Sequence, residues 1–193
     1  MLQNDCRPIP LIPENLLLHP GTIPLFTIRH PVLLVPSSIR GIKKAETGDT
    51  RASYIIGTSL GFSREIYDWF VAQGVEPVVA DADDYMTSAD FNQSLGERLG
   101  LDPALVAVSW PKTTEDEQKL MHPVLLRMQE TLVKSQGLDA SRAARNVDLT
   151  EERARWKEEF SEEEVMLMEE IIAHITPHYE YLRERRFVPS SRN

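Results

Sequence analysis

One cysteine, Cys6, occurs in 193 residues. An internal disulfide and a thiolate-rich zinc site are therefore both excluded, and a reducing, cytoplasmic compartment is the expectation. No run of 18 apolar residues is present, and the N-terminus has neither a basic n-region nor a continuous apolar h-region. A membrane-spanning or secreted chain is thus not expected. Positive charge is also short: 21 Lys and Arg against 30 Asp and Glu leave a net charge of −9. Nucleic acid and anionic membrane are poor general partners for such a chain, because phosphate groups call for a basic face. Also missing are a G-x-x-x-x-G-K loop, a Gly-x-Ser-x-Gly elbow, paired catalytic carboxylates and a Cys–His arrangement. No internal repeat or low-complexity tract appears, and 41% hydrophobic residues suffice for the core of one domain.

What is present is organised around Ile23-Pro24-Leu25-Phe26-Thr27-Ile28-Arg29-His30-Pro31 and the Val32 to Arg40 segment behind it. The apolar run, rich in β-formers, reads as a buried strand ending in Arg-His-Pro, and the next segment reads as a helix turning back. Ligands of such folds sit at the carboxyl ends of the strands, where Arg29 lies, and Ser37 and Ser38 are nearby hydroxyls. Pro77-Val78-Val79-Ala80 reads as a second strand, parallel to the first because a helix separates them. Leu105 to Trp110 is either a third short strand or an apolar anchor.

The rest reads as helix. Glu14 to His19 suits a single turn, and residues 51–73 suit a helix weakened near Gly57 and Gly61 and stopped by Gly74. Thr87 and Asp90 resemble a capping box before Phe91, Leu95 and Leu99, with Gly100 as the stop. Thr114 and Glu117 cap a helix through Leu132 that Pro123 should kink and Gly137 should end. Thr150 to Glu159 forms a short helix. Ser161 and Glu164 form a capping box, Phe160 staples onto Val165, and Val165, Met168, Ile172 and Ile175 line one face. Pro177 should break or kink that last helix.

Arg29 is the first candidate for binding, since guanidinium grips phosphate bidentately. The structural alternative is an ion pair with Asp81, Asp83 or Asp84. Arg40, Lys43 and Lys44 make the following helix locally basic, which suits either a small anion or a solvated face. His30, beside Arg29, and His19, in the loop before the strand, are candidate bases. His174 and His178 have metal-chelating spacing, but no third ligand accompanies them.

Phe26-Thr27-Ile28-Arg29-His30-Pro31 with Ser37, eight positions after Arg29, resembles the 3′-phosphate-binding segment of sulfotransferases. Arg155-Trp156-Lys157-Glu158-Glu159-Phe160-Ser161 is similar to that family's distal Trp-Lys-x-x-Phe-Thr segment. Val75 to Asp84, Gly100 to Trp110 and His178-Tyr179-Glu180-Tyr181-Leu182 look like its fungal branch. The resemblance implies a P-loop NTPase-like architecture, with Arg29 and Ser37 as cofactor-binding residues for a 3′-phosphoadenosine-type nucleotide. It also implies departures. The Gly-containing loop for the 5′-phosphosulfate and the Lys-x-His segment are missing, so the chain is expected to match the C-terminal two-thirds of such a protein. Leu149-Thr150-Glu151 stands where the family has Arg-Lys-Gly, and Glu158 and Glu159 oppose a phosphate near Lys157. Of the overlapping dimerisation motif, Lys157 and Ser161 fit while Glu162 and Met166 do not, and Trp156 reads as core.

The expected fold is α/β: a short parallel sheet of two or three strands packed by five or more helices, a truncated three-layer architecture. Residues 1–22 are expected as a Pro-rich arm, 23–188 as the domain and 189–193 as a frayed tail. The expected function is a sulfotransferase-family protein acting on or binding a small molecule, with an incomplete donor site. The alternatives are a non-catalytic binding or interaction protein and a donor-independent cyclase- or isomerase-type enzyme. The uncovered sheet edge should be masked by the N-terminal arm or by another subunit.

Overall fold

The structure, a computed structural model, describes residues 12–45, 53–55 and 58–190. Strand β1 (Leu25–Ile28) and strand β2 (Val78–Asp81) pair in parallel, Leu25 opposite Val78 and Ile28 opposite Asp81. Between them run helix α2 (Pro31–Ala45) and helix α3 (Leu60–Ala72), so the connection is the helical crossover that parallel pairing demands. A turn of helix, α1 (Glu14–Leu17), precedes β1. Beyond β2 lie α4 (Ala82–Tyr85), α5 (Ala89–Arg98), α6 (Glu115–Leu120), α7 (Pro123–Met128), α8 (Glu130–Lys134), α9 (Leu149–Glu159) and α10 (Glu162–Glu184). The fold is mixed α/β and strongly helical, as its sequence pattern predicts. Among the described residues the sheet has two strands.

Helix α10 is the centre of the packing. It lies against α2, α3 and both strands. Met168, Ile171, Ile172, Ile175, Tyr179 and Leu182 recur at helical spacing and are all buried. They close over Ile28 and Val79 from the sheet, Val32, Val35 and Ile39 from α2, and Trp156 and Phe160 from α9 and its end. The start of α10 is fixed as its sequence requires. The Ser161 hydroxyl accepts from Glu164 N (3.2 Å), and the Glu164 carboxylate accepts from Ser161 N (2.8 Å). Ser161→Ala is expected to cost about 1 kcal/mol, because the cap is lost while the buried face is intact. Chemical denaturation would show this as a lower midpoint at unchanged slope.

Several boundaries differ from the sequence reading, each for a local reason. Pro177 does not end α10, which runs unbroken from Glu162 to Glu184; the buried apolar face on both sides of the proline outweighs one missing hydrogen bond. Pro123 does more than kink its helix. It occupies the first turn of a separate helix, α7, where its missing N–H is not needed and His122 caps it by accepting from Val124 N (3.2 Å). The segment expected as one helix to Leu132 is therefore α6, α7 and α8. Ser88, not Thr87, caps α5 and accepts from Phe91 N (3.1 Å); Thr87 instead donates to the Asp83 carbonyl.

Residues 105–110 form no strand. Ser109 makes a single antiparallel bridge to Gly137. Gly137 does not end the preceding helix, which stops at Lys134 with Ser135 as its C-cap; it is required by the bridge, since a Cβ there would lie 2.9 Å from the Val108 carbonyl oxygen. Gly74 and Gly100 follow α3 and α5 at φ +75° and +74°, the conformation that favours glycine beyond a helix end. Gly57, read as a weak point, and residues 1–11 of the Pro-rich arm lie outside the described residues. Among the described residues no helix is long and apolar enough to cross a membrane.

Candidate functional site

Arg29 follows the last residue of β1 and is lifted partly out of solvent between the sheet and the chain beyond α8. Its Nη2 donates to the Arg142 carbonyl oxygen over a long 3.4 Å, and its buried Nε has no partner. The ion pair with Asp81, Asp83 or Asp84 is not formed, because each carboxylate is already engaged. Asp81 accepts from the Tyr179 hydroxyl (2.8 Å), Asp83 from the backbone amides of Ala144 and Arg145, and Asp84 from Arg145 Nη2 (2.7 Å) and Arg186 Nε (3.0 Å). Burial accordingly lowers the Arg29 pKa from its ordinary value, the nearby Tyr85 opposing it and the like charge of Arg142 adding to it.

This guanidinium borders a cavity of about 350 Å³ lined by Thr27, Thr58, Ser59, Ser63 and Tyr85 over an apolar floor that includes Leu34 and Leu60. The sequence makes the hydroxyl wall. Ser59 caps α3, accepting from Phe62 N (3.3 Å), so its hydroxyl and Ser63 one turn later face the same space at the positive end of that helix. Tyr85 closes α4, and burial raises its pKa while Arg29 counters the shift. A cation with no close ion pair among the described residues, on which Asp83 and Glu152 act only through space, joins several hydroxyls and a helix start in a site for a single anionic group.

The other candidates are dispersed. Ser37 is an exposed residue of α2 and is not among the residues lining this cavity. His30 accepts at Nδ1 from Val32 N (3.3 Å), and its ring meets Tyr179 edge-on at 5.5 Å. It thus helps to cap α2, with burial lowering its pKa against the pull of Asp83 and Glu180. His19 is exposed, and its Nδ1 accepts from Gly21 N (3.1 Å). His174 and His178 touch ring to ring at 5.8 Å, and among the described residues no group of three His, Cys, Asp or Glu side chains could hold a metal ion. The basic residues of α2 turn out to be paired. Arg40 grips Glu159 with two bonds (2.8 and 2.7 Å), Lys43 meets Glu164 (2.7 Å) and Lys44 meets Glu130 (2.6 Å). Trp156 is fully buried, whereas Lys157 is exposed.

Thr58, Ser59, Ser63 and Tyr85 are the residues that sequence reasoning missed. A helix drawn from Arg51 hid the signal, since Thr58-Ser59 before an apolar turn is an N-cap pattern that would have placed these hydroxyls at a helix start.

At the end of β2, Asp81 is almost entirely buried and also accepts from Asp83 N (3.0 Å) at the start of α4. Burial raises its pKa, and its hydrogen bonds offset only part of that rise. A carboxyl whose folded pKa is raised contributes stability that is present below its unfolded pKa and lost as pH rises through the folded one. Asp81→Asn removes this contribution; its amide oxygen can still accept from Asp83 N, while its NH2 would donate to the Tyr179 hydroxyl, reversing the direction of that bond. The stability of the native chain relative to Asp81→Asn should therefore rise as pH falls through the carboxylate range. Parallel thermal melts from neutral to acid pH measure it, and a pH-independent gap would contradict a charged, buried Asp81.

Comparison with known proteins bears on this arrangement. The chain is 30% identical over 194 aligned positions to the sulfotransferase ppzF of Metarhizium majus and, with the same identity and length, to that of Metarhizium rileyi, matching 92% of this chain in both. Over that shared length the chain is similar to these fungal sulfotransferases. The sulfotransferase-like chain spans just over half, 56%, of the length of these curated relatives. No family profile and no solved structure matches it.

Proposed function

We propose that this sulfotransferase-like chain binds a small anionic ligand, of the 3′-phosphoadenosine nucleotide type, with its phosphate on Arg29 and its flank against Ser59, Ser63 and Tyr85. The observation that carries this reading is the Arg29 guanidinium: partly desolvated, with a buried Nε lacking any partner, and open to a cavity lined by hydroxyls. Structural arginines in this protein look different, as the bidentate pairing of Arg40 with Glu159 illustrates. A binding role is favoured over base catalysis by the candidate histidines. Nδ1 of His30 and Nδ1 of His19 each accept a backbone N–H, which in the neutral ring puts the proton on the other nitrogen and leaves no free lone pair. A donor-dependent sulfuryl transfer would need groups beyond Arg29, so the donor site is read as incomplete. Titration calorimetry with adenosine 3′,5′-bisphosphate tests the proposal. Saturable heat at micromolar or weaker affinity is expected, and no heat at millimolar nucleotide would remove the anion-site reading.

A further inference from the structure

We propose that a second cavity, between the chain entering α6 and helices α7 and α8, binds a zwitterion with an apolar body, the chemistry of a free apolar amino acid. This cavity measures about 600 Å³ and shares no lining residue with the one beside Arg29. Its size suits a small molecule, since ligand sites commonly run from about 300 to 1,000 Å³.

The two sides of the cavity are tied to each other. Trp110 N donates to the Gln136 carbonyl (3.0 Å) and its indole Nε1 to the Ser135 hydroxyl (3.2 Å), which fastens the chain before α6 to the chain after α8. Gln118 Nε2 donates to the Thr113 carbonyl (3.1 Å), and the Thr114 and Glu117 capping box fixes the start of α6. The apolar part of the lining comes from the facing side, where Val133 of α8 is buried and Leu126 of α7 is half-buried. An apolar ligand body has a surface to cover there.

The charges of the lining select the rest of the ligand. Glu130 and Lys134 neutralise each other, and Glu130 also accepts from Lys44 Nζ (2.6 Å), bonds that hold its carboxyl down at about 2. In the first turn of α6, Asp116 meets Lys119 (2.7 Å) and Glu117 accepts from Thr114 N (2.7 Å). Lys112 and Glu115 are different. Both line the cavity, and among the described residues neither side chain has an ion pair or a hydrogen bond, with each other or with any other group. A simple anion would satisfy Lys112 and leave Glu115 facing a like charge, and a simple cation would do the reverse. A zwitterion answers both, its carboxylate on Lys112, its ammonium on Glu115 and its side chain along Leu126 and Val133.

Methyl NMR of the full chain, titrated with L-leucine, tests the site. Two further probes each remove one charge: 4-methylpentanoate lacks the ammonium, and 3-methylbutylamine lacks the carboxylate. Leucine should shift the Leu126 and Val133 methyl signals saturably in the millimolar range, and each analogue should bind about threefold or more weakly than leucine, the loss expected for one solvent-accessible ion pair. The variants should divide the two charges. Lys112→Met should weaken leucine by a similar factor and leave the amine unchanged, whereas Glu115→Gln should weaken leucine and leave the carboxylate unchanged. Both residues are exposed, so neither change threatens the fold, and the unchanged analogue verifies this within the same titration. No nucleotide is present and the observed methyl groups lie outside the Arg29 cavity, so the outcome is independent of binding there. Any of three results overturns the proposal: no saturable shift with leucine at tens of millimolar, analogues that bind as tightly as leucine, or undiminished leucine binding in Lys112→Met or Glu115→Gln.

Discussion

Arg29→Ala is expected to abolish measurable binding of adenosine 3′,5′-bisphosphate, while Lys157→Ala leaves it nearly unchanged. A hydrogen bond to a charged group is worth about 1.5–3 kcal/mol net, so each guanidinium–phosphate bond lost weakens binding by about 10- to 150-fold. A bidentate grip involves two such bonds, and with micromolar affinity at best in the native protein their loss leaves nothing that calorimetry detects at ordinary concentrations. Lys157 sits on the exposed side of α9 beside Glu158 and Glu159, whose charges cancel its attraction for phosphate. Arg29→Lys separates charge from geometry. The cation is kept but the fork is lost, so affinity should be intermediate. Arg29→Ala binding as tightly as the native chain would show that the ligand, if bound, sits elsewhere.

The sequence disclosed the residue but not its surroundings. Arg29 is legible because a strand ending in a guanidinium is a local pattern, and β1, α2 and β2 follow from apolar runs and the parallel crossover they require. The capping boxes at Thr114 and Ser161 are equally local, each holding its two bonds within four residues. The wall of the cavity is not local. Thr58, Ser59 and Ser63 come from the start of α3, and Tyr85 from the end of α4, so their meeting depends on how α3 packs against the sheet. Pro177 shows the same dependence on packing: chain propensity predicts a break or a kink there, and the packing of Ile175, Tyr179 and Leu182 against the core carries the helix through without a break. The paired cations of α2 illustrate a further limit. Arg40, Lys43 and Lys44 look free in sequence, and their partners Glu159, Glu164 and Glu130 lie 86 to 121 residues away.

Trp156 shows how one residue of a family-like segment can serve the core rather than the ligand, and its removal should produce the largest stability loss of any single change considered. It is completely buried, at 0% exposure, among the residues of α2, α9 and α10 that form the main cluster. Truncating a buried Trp to Ala costs about 3–5 kcal/mol through lost transfer energy and the cavity left behind. For a domain of this size each kcal/mol lowers the melting midpoint by about 2–4 °C, so Trp156→Ala should melt about 6–20 °C below the native chain. The indole Nε1–H is itself buried without a partner. Trp156→Phe removes that unsatisfied donor along with part of the volume, and should cost distinctly less than Trp156→Ala. Thermal unfolding of the two variants, with nucleotide titration on each folded form, discriminates the roles. A core Trp156 gives the graded loss of stability with affinity retained in Trp156→Phe. An unchanged melting midpoint with lost nucleotide binding would instead place the indole at the ligand, and the core assignment would be wrong.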